Sequence, residues 1–252
     1  MSVIRFILLR KKFRYREILG ELVSGFLFIV IQFSFFKSFV AARNDYNSSS
    51  FFIYIIFSFI ISSCCAVPIV ETFCSGYQRN TLYKKYIFCR SYFLYLIAYY
   101  FLEKLMVLIF FSTIFIIISF CVGLIDFSFF KSVPQFLAAV FSSFLLDIFL
   151  RITLGSILIT NRNYNSLIKA YNQVSRILSG AIVPLSFFPI LLKNIIFYLP
   201  FYFLVFFPLE VLLNGNDIKN FYIQTGLTIF FFFIAFLSFT VMTKKLKREG
   251  GI

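Results

Sequence analysis

Long apolar runs separated by short polar and basic clusters divide this chain into segments of bilayer length. A spanning helix needs about 20 largely apolar residues. Five runs meet that length, over residues 22–40, 51–72, 92–122, 133–160 and 221–242. The third and fourth exceed one bilayer thickness, which predicts tilt or an interfacial first turn. A sixth run, 177–213, is as apolar but is cut by Pro184, Pro189, Pro200 and Pro208. Read as two full spans, it gives seven helices and separates the termini across the membrane. Read as one span followed by a broken hairpin, it gives six. Polar connections mark two of the gaps: RNDYNSSS over 43–50 and NGNDIKN over 214–220.

Charge selects the even count. The basic residues of the N-terminus (Arg5, Arg10, Lys11, Lys12, Arg14, Arg16) and of the tail (Lys244, Lys245, Lys247, Arg248) both belong on the cytoplasmic side. On a six-helix arrangement that side also receives Arg79, Lys84, Lys85, Arg90, Arg151, Arg162, Lys169 and Arg176. The outer side keeps Lys37, Arg43, Lys131, Lys193 and Lys219, a bias of eighteen against five. Lys104 lies inside a span and counts for neither. The expectation is an all-α, multi-pass protein of the cell (inner or plasma) membrane, with both termini cytoplasmic. A single transmembrane domain covers residues 1–252, with six helices and a broken re-entrant hairpin between the fifth and sixth. Residues 1–21, with FILLRKKFRYREILGE at their core, alternate Phe, Leu and Tyr with basic side chains. That pattern predicts an amphipathic helix lying in the inner interface. It lacks the small-residue cleavage site of a removable signal peptide.

Composition agrees with the bilayer as solvent. Hydrophobic residues make up 61% of the chain and charged residues 13%, with 41 Phe and 15 Tyr. Soluble domains run near half apolar and a quarter charged. The net charge of +14 sits in clusters beside apolar runs and leaves no contiguous basic face for nucleic acid. The five cysteines (Cys64, Cys65, Cys74, Cys89, Cys121) have neither zinc spacing nor a disulfide framework, and read as small buried hydrophobes.

Catalytic signatures are missing. The chain has no His, no G-x-x-x-x-G-K-[ST] phosphate loop and no G-x-S-x-G elbow, so an enzyme is not expected. Ionisable residues within the spans remain. Asp147 and Arg151 stand four apart on one face of the fourth span and can pair, and Glu103 and Lys104 lie in the third. Charges at such depth face the bundle interior and find partners. They serve either a polar substrate route or hinge, or a neutralised pair that fixes helix packing.

Over residues 178–215 the sequence reads LSGAIVPLSFFPILLKNIIFYLPFYFLVFFPLEVLLNG. It resembles the end of type-2 ABC export permeases, in which an SG…P…FP break follows the fifth helix and LPF…P…G leads towards the sixth. Ser179-Gly180, Pro184, Phe188-Pro189, Leu199-Pro200-Phe201, Pro208 and Gly215 match in order and spacing. The similarity is to the small six-helix branch without large extracellular domains. A second piece is 71–90, ETFCSGYQRNTLYKKYIFCR, the first cytoplasmic loop. In the family this loop holds a short helix seated in the ATPase subunit, which assigns coupling to Glu71, Gly76, Tyr77, Arg79 and Leu82. Lys84-Lys85 stands where the family carries a basic-proline pair.

The resemblance implies a permease that works with two copies of an ABC ATPase and a second permease, identical or homologous, within membrane lipid. ATP and Mg would bind the ATPase, with no cofactor in this chain and no nucleic acid. Pro184, Pro189, Pro200 and Pro208 would form an outer gate. The cargo would be an amphiphilic or hydrophobic drug, lipid or peptide. The alternatives are an ion-coupled secondary transporter, which needs several intramembrane acids, and a non-transporting membrane or immunity subunit.

Overall fold

The computed structural model describes residues 25, 27–32, 34–35, 48–64, 68–78, 92–122, 132–161, 163–215 and 218–249. Every regular element among them is helical. Helical backbone at residues 25, 27–32 and 34–35 is followed by α1 (Ser48–Cys64), α2 (Ile69–Gln78), α3 (Tyr92–Val122), α4 (Val133–Leu158) and α5 (Tyr164–Leu178). Then come α6 (Ile190–Phe197), α7 (Phe206–Asn214) and α8 (Ile218–Glu249), with 3-10 turns at Leu185–Phe187 and Pro200–Phe203.

Among the described residues, four stretches are long and apolar enough to cross a bilayer: Phe51–Gln78, Tyr92–Ile109, Val133–Leu158 and Ile218–Leu246. They fall on the second, third, fourth and last apolar runs of the sequence. Most of the run 22–40, and all of the interfacial segment 1–21, lie outside the described residues.

Helix α4 is the hub, packing on α8, α2, α7 and α3. It separates two apolar cores. One joins α4 to α1 and to the segment after α5, through Phe57, Phe136, Phe144, Leu185, Phe203 and Phe207. The other joins α4 to α2, α3 and α8, through Phe73, Phe93, Tyr100, Phe149, Ala235 and Phe239. Gly155 sets the approach of α2, because a Cβ there would lie 2.7 Å from the Phe73 ring and 3.4 Å from Val70 Cα. Small residues at helix contacts give this close approach in bilayers.

Helix α8 shows which solvent the outer surface meets. Gln224, Thr228, Ala235, Phe239 and Met242 recur with helical period and are buried, while Phe230, Phe233, Leu237 and Val241 on the other faces are each more than half exposed. A continuous apolar face of this size suits lipid and would be a liability in water.

One expectation is corrected. The run 177–213 contains no helix of spanning length. The helix before the break is α5, which begins at Tyr164 and ends at Leu178, so only its last two residues belong to that run. It is amphipathic, where an apolar fifth span was expected. Gly180 takes a left-handed φ of 77° and stops it, and the four prolines then divide the chain up to Gly215 into short elements. Residues 71–78 were expected in the cytoplasmic coupling loop, whose counterpart in the resembling family holds a short helix. They are helical and form most of α2, which buries Ile69, Val70, Phe73, Cys74 and Gly76 against α4 and α5. The apolar spacing at 69, 70, 73 and 74 matches a helix face. Arg79, Leu82 and the rest of the loop lie outside the described residues.

Candidate functional site

The site is built around a carboxylate that α4 carries between the two cores. Asp147 is fully buried, flanked by Leu146 in one core and Ile148 in the other. Arg151, one turn further on, directs Nε to both carboxylate oxygens, at 3.1 Å and 3.0 Å. The predicted pair is thus formed. A third member joins it from α3, where the Lys104 ammonium donates to Asp147 Oδ2. Lys104 is 0% and Arg151 4% exposed, so the cluster holds two cations against one carboxylate in an apolar interior. Further electron-rich groups offset the excess. Asn172 Oδ1 on α5 accepts from the Arg151 guanidinium at 3.1 Å. The Tyr171 ring lies 5.7 Å from Arg151 and the Phe144 ring 5.4 Å from Lys104, both within cation–π range.

Arg151 also floors a cavity of about 300 Å³, with both polar and apolar walls, between α2, α4 and α5. Glu71 of α2 and Lys169, Asn172, Gln173 and Arg176 of α5 line it. Glu71 therefore belongs to a cavity wall, and its Oε2 is buried with no hydrogen-bond partner among the described residues. The amphipathic pattern of α5 explains the arrangement: Tyr164 and Ile168 pack on Val70 and Cys74 of α2, which turns Lys169, Gln173 and Arg176 to the open side, where all three are exposed.

The break after α5 closes one end of this cavity with Ser179, Ala181, Leu204 and Val205. Three successive carbonyls are released where the helix stops, and each meets a side chain. Tyr54 OH donates to Gly180 O at 2.7 Å, Ser58 Oγ to Ala181 O at 3.5 Å and Gln32 Nε2 to Ile182 O at 2.5 Å. Backbone groups freed in apolar surroundings require such partners. A Cβ on Gly180 would stand 3.0 Å from Tyr54 Oη and 3.3 Å from Phe206 Cβ, so the position needs glycine for space as well as for φ.

All four prolines sit at the starts of elements. Pro184 and Pro189 cap the first 3-10 turn and α6, Pro200 opens the second turn, and Pro208 lies in the first turn of α7. Their missing N–H groups cost no helical hydrogen bond there, so they punctuate the segment and do not kink a longer helix. The second turn is anchored by α4 and α8. Ser143 Oγ lies 2.7 Å from Phe203 O and accepts from Gln224 Nε2 at 2.9 Å.

Asn172, Tyr54, Gln32, Ser143 and Gln224 were not singled out by the sequence, and Lys104 was singled out without its partner. A Lys inside an apolar span does signal a buried partner, but the identity of that partner depends on how α3 crosses α4. Of the predicted coupling residues, Glu71, Gly76 and Tyr77 share α2. Cys64 and Cys74 are buried, as expected of small hydrophobes; Cys65 and Cys89 lie outside the described residues. Among the described residues, no group of three or more His, Cys, Asp or Glu side chains is placed to hold a metal ion. Comparison with protein-family models and with curated proteins returns no match.

Proposed function

We propose that this chain is the membrane permease subunit of an ATP-driven export complex of the type-2 ABC class, moving an amphiphilic or hydrophobic cargo outward. The observation that carries this reading is the segment from Ser179 to Gly215. It combines a Ser-Gly helix stop, prolines at the starts of successive short elements, and released carbonyls bonded by side chains of neighbouring helices. Irregular backbone of this kind persists in a bilayer only where protein packs it or a cavity adjoins it. It has both here.

In this reading α5 and the broken segment after it together make the fifth crossing, with the polar face of α5 towards the route. The turns, α6 and α7 form a re-entrant hairpin that acts as the outer gate. The run 22–40 supplies a further span, giving six, with both termini cytoplasmic in the cell membrane. ATP and Mg belong to two copies of a separate ATPase, and a second permease, identical or homologous, completes the route. Tyr77, Arg79 and Leu82 lead towards the ATPase contact. An ion-coupled mechanism is less suited, because Asp147, the most deeply buried carboxylate among the described residues, is engaged by two cations.

The test is purification of the full chain in mild detergent, with identification of every co-purifying protein and assay of ATP hydrolysis. A stoichiometric ATPase is expected, stimulated when the complex is reconstituted in lipid. Transport by the purified chain in vesicles without nucleotide or ATPase would reject the reading.

A further inference from the structure

The cavity beside α5 holds more positive charge than packing of the bundle explains. Arg151 at its floor is already satisfied by Asp147 and Asn172. Lys169 and Arg176 add two cations at its mouth, and no carboxylate among the described residues pairs with either one. Arg176 instead lies 5.7 Å from the ring of Phe28. Positions 169, 173 and 176 follow the i, i+4, i+7 spacing of one helix face, so Lys169, Gln173 and Arg176 present one row to the cavity. Among the described residues, the only carboxylate lining the cavity is Glu71.

Asn172 sharpens the preference. Its Oδ1 is occupied by the Arg151 guanidinium, which leaves its amide nitrogen to donate towards a ligand. The mouth therefore offers donors and positive charge. Alongside this row, α5 exposes Val174 and Ile177, at 49% and 43%. A net-positive pocket with mixed polar and apolar walls, beside an exposed apolar strip, complements a molecule with a negative head and an apolar tail.

We propose that this cavity binds the anionic, phosphate-class headgroup of an amphiphile. Lys169 and Arg176 hold its charge, Asn172 and Gln173 donate hydrogen bonds, and Val174 and Ile177 border the tail. The assignment of this amphiphile as cargo rests on the export reading above; the binding itself does not.

The experiment uses the purified full chain, delipidated in mild detergent, with no ATP and no partner. Retention of phosphatidylglycerol is compared with that of phosphatidylcholine by native mass spectrometry, with inorganic phosphate as competitor. Selective retention of phosphatidylglycerol is expected. The double variant Lys169→Gln/Arg176→Gln should bind it about tenfold or more weakly, the loss expected for two charge-assisted contacts. Both side chains are exposed, so its melting temperature should match the parent. The charge-preserving Lys169→Arg/Arg176→Lys variant should keep binding. Equal retention of the two lipids, or unchanged binding by the Gln variant, would overturn the proposal. Displacement by inorganic phosphate at equal concentration would overturn it too, by assigning the site to a free anion. Because no ATPase is present, failure here leaves the export reading standing, and failure to recover an ATPase leaves this binding result standing.

Discussion

Lys104 of α3 and Asp147 of α4 are both fully buried and form an ion pair between the two helices, which Arg151 completes from one turn along α4. Removing one member of a buried ionic group costs about 3–5 kcal/mol, because the remaining charge is stranded. Asp147→Ala strands two cations and should lower the melting temperature more than either cation's removal. The double change Asp147→Ala/Arg151→Ala still strands Lys104, so it should not recover the parent's stability. Replacing all three by apolar side chains, as Lys104→Met, Asp147→Leu and Arg151→Met, should recover most of it, since apolar substitutes for a buried ion group are often neutral or better. Melting curves in detergent decide this. A double variant as stable as the triple would show that Lys104 does not belong to the group.

Gly180 is the second sensitive point. A side chain forced into left-handed backbone costs about 1–2 kcal/mol, and the space beside Tyr54 and Phe206 adds to that. Gly180→Ala should therefore destabilise the protein clearly. Tyr54→Phe keeps the ring and removes the donor to Gly180 O, and an orphaned buried carbonyl costs about 1–3 kcal/mol. If both variants melt with the parent, the helix stop is not held by this contact.

The prolines separate stability from transport. Pro189 and Pro200 stand at element starts, where Ala fits the same backbone without breaking a helical hydrogen bond. Pro189→Ala/Pro200→Ala should keep the bundle folded while relaxing the turns around α6. Under the export reading, outward transport in vesicles falls several-fold while the melting temperature is retained. Full transport by the stable variant would show that the prolines are not part of a gate.

Topology is testable by labelling single cysteines in a background with the native cysteines replaced. Six spans with cytoplasmic termini predict that Asn47→Cys and Asn216→Cys react from outside, and Thr81→Cys and Lys247→Cys only from inside. Reaction of Asn216→Cys from the cytoplasmic side would exclude that arrangement.

Local rules made part of this architecture legible in the residues alone. The apolar runs around Phe51, Tyr92, Val133 and Phe221 became the four span-length stretches, because length and hydropathy are local properties. The Asp147–Arg151 pair was also visible, because an i, i+4 spacing on a helix is geometric. The proline-cut run revealed that helices must stop there. It did not show that the preceding helix is amphipathic and starts at Tyr164, because the polar face of α5 makes sense only once a cavity lies beside it. Residues 71–78 are helical, as the short helix implied for this loop would be; the residues alone did not show that α4 and α5 supply the surfaces that bury Val70, Phe73 and Cys74.

By itself, the sequence determined the solvent of this protein, the places of the four span-length stretches among the described residues and the points at which backbone regularity fails. Those follow from side-chain hydropathy and from the backbone limits of glycine and proline, which act within a few residues. Only the tertiary structure decided that Lys104 is the second cation on Asp147, that Tyr54, Ser58 and Gln32 meet the carbonyls released after Leu178, and that Glu71, Arg151, Lys169 and Arg176 share one cavity. These are pairings between residues far apart in the chain. The crossing of α2, α3 and α5 on α4 sets them, and hydropathy along a single segment carries no information about that crossing.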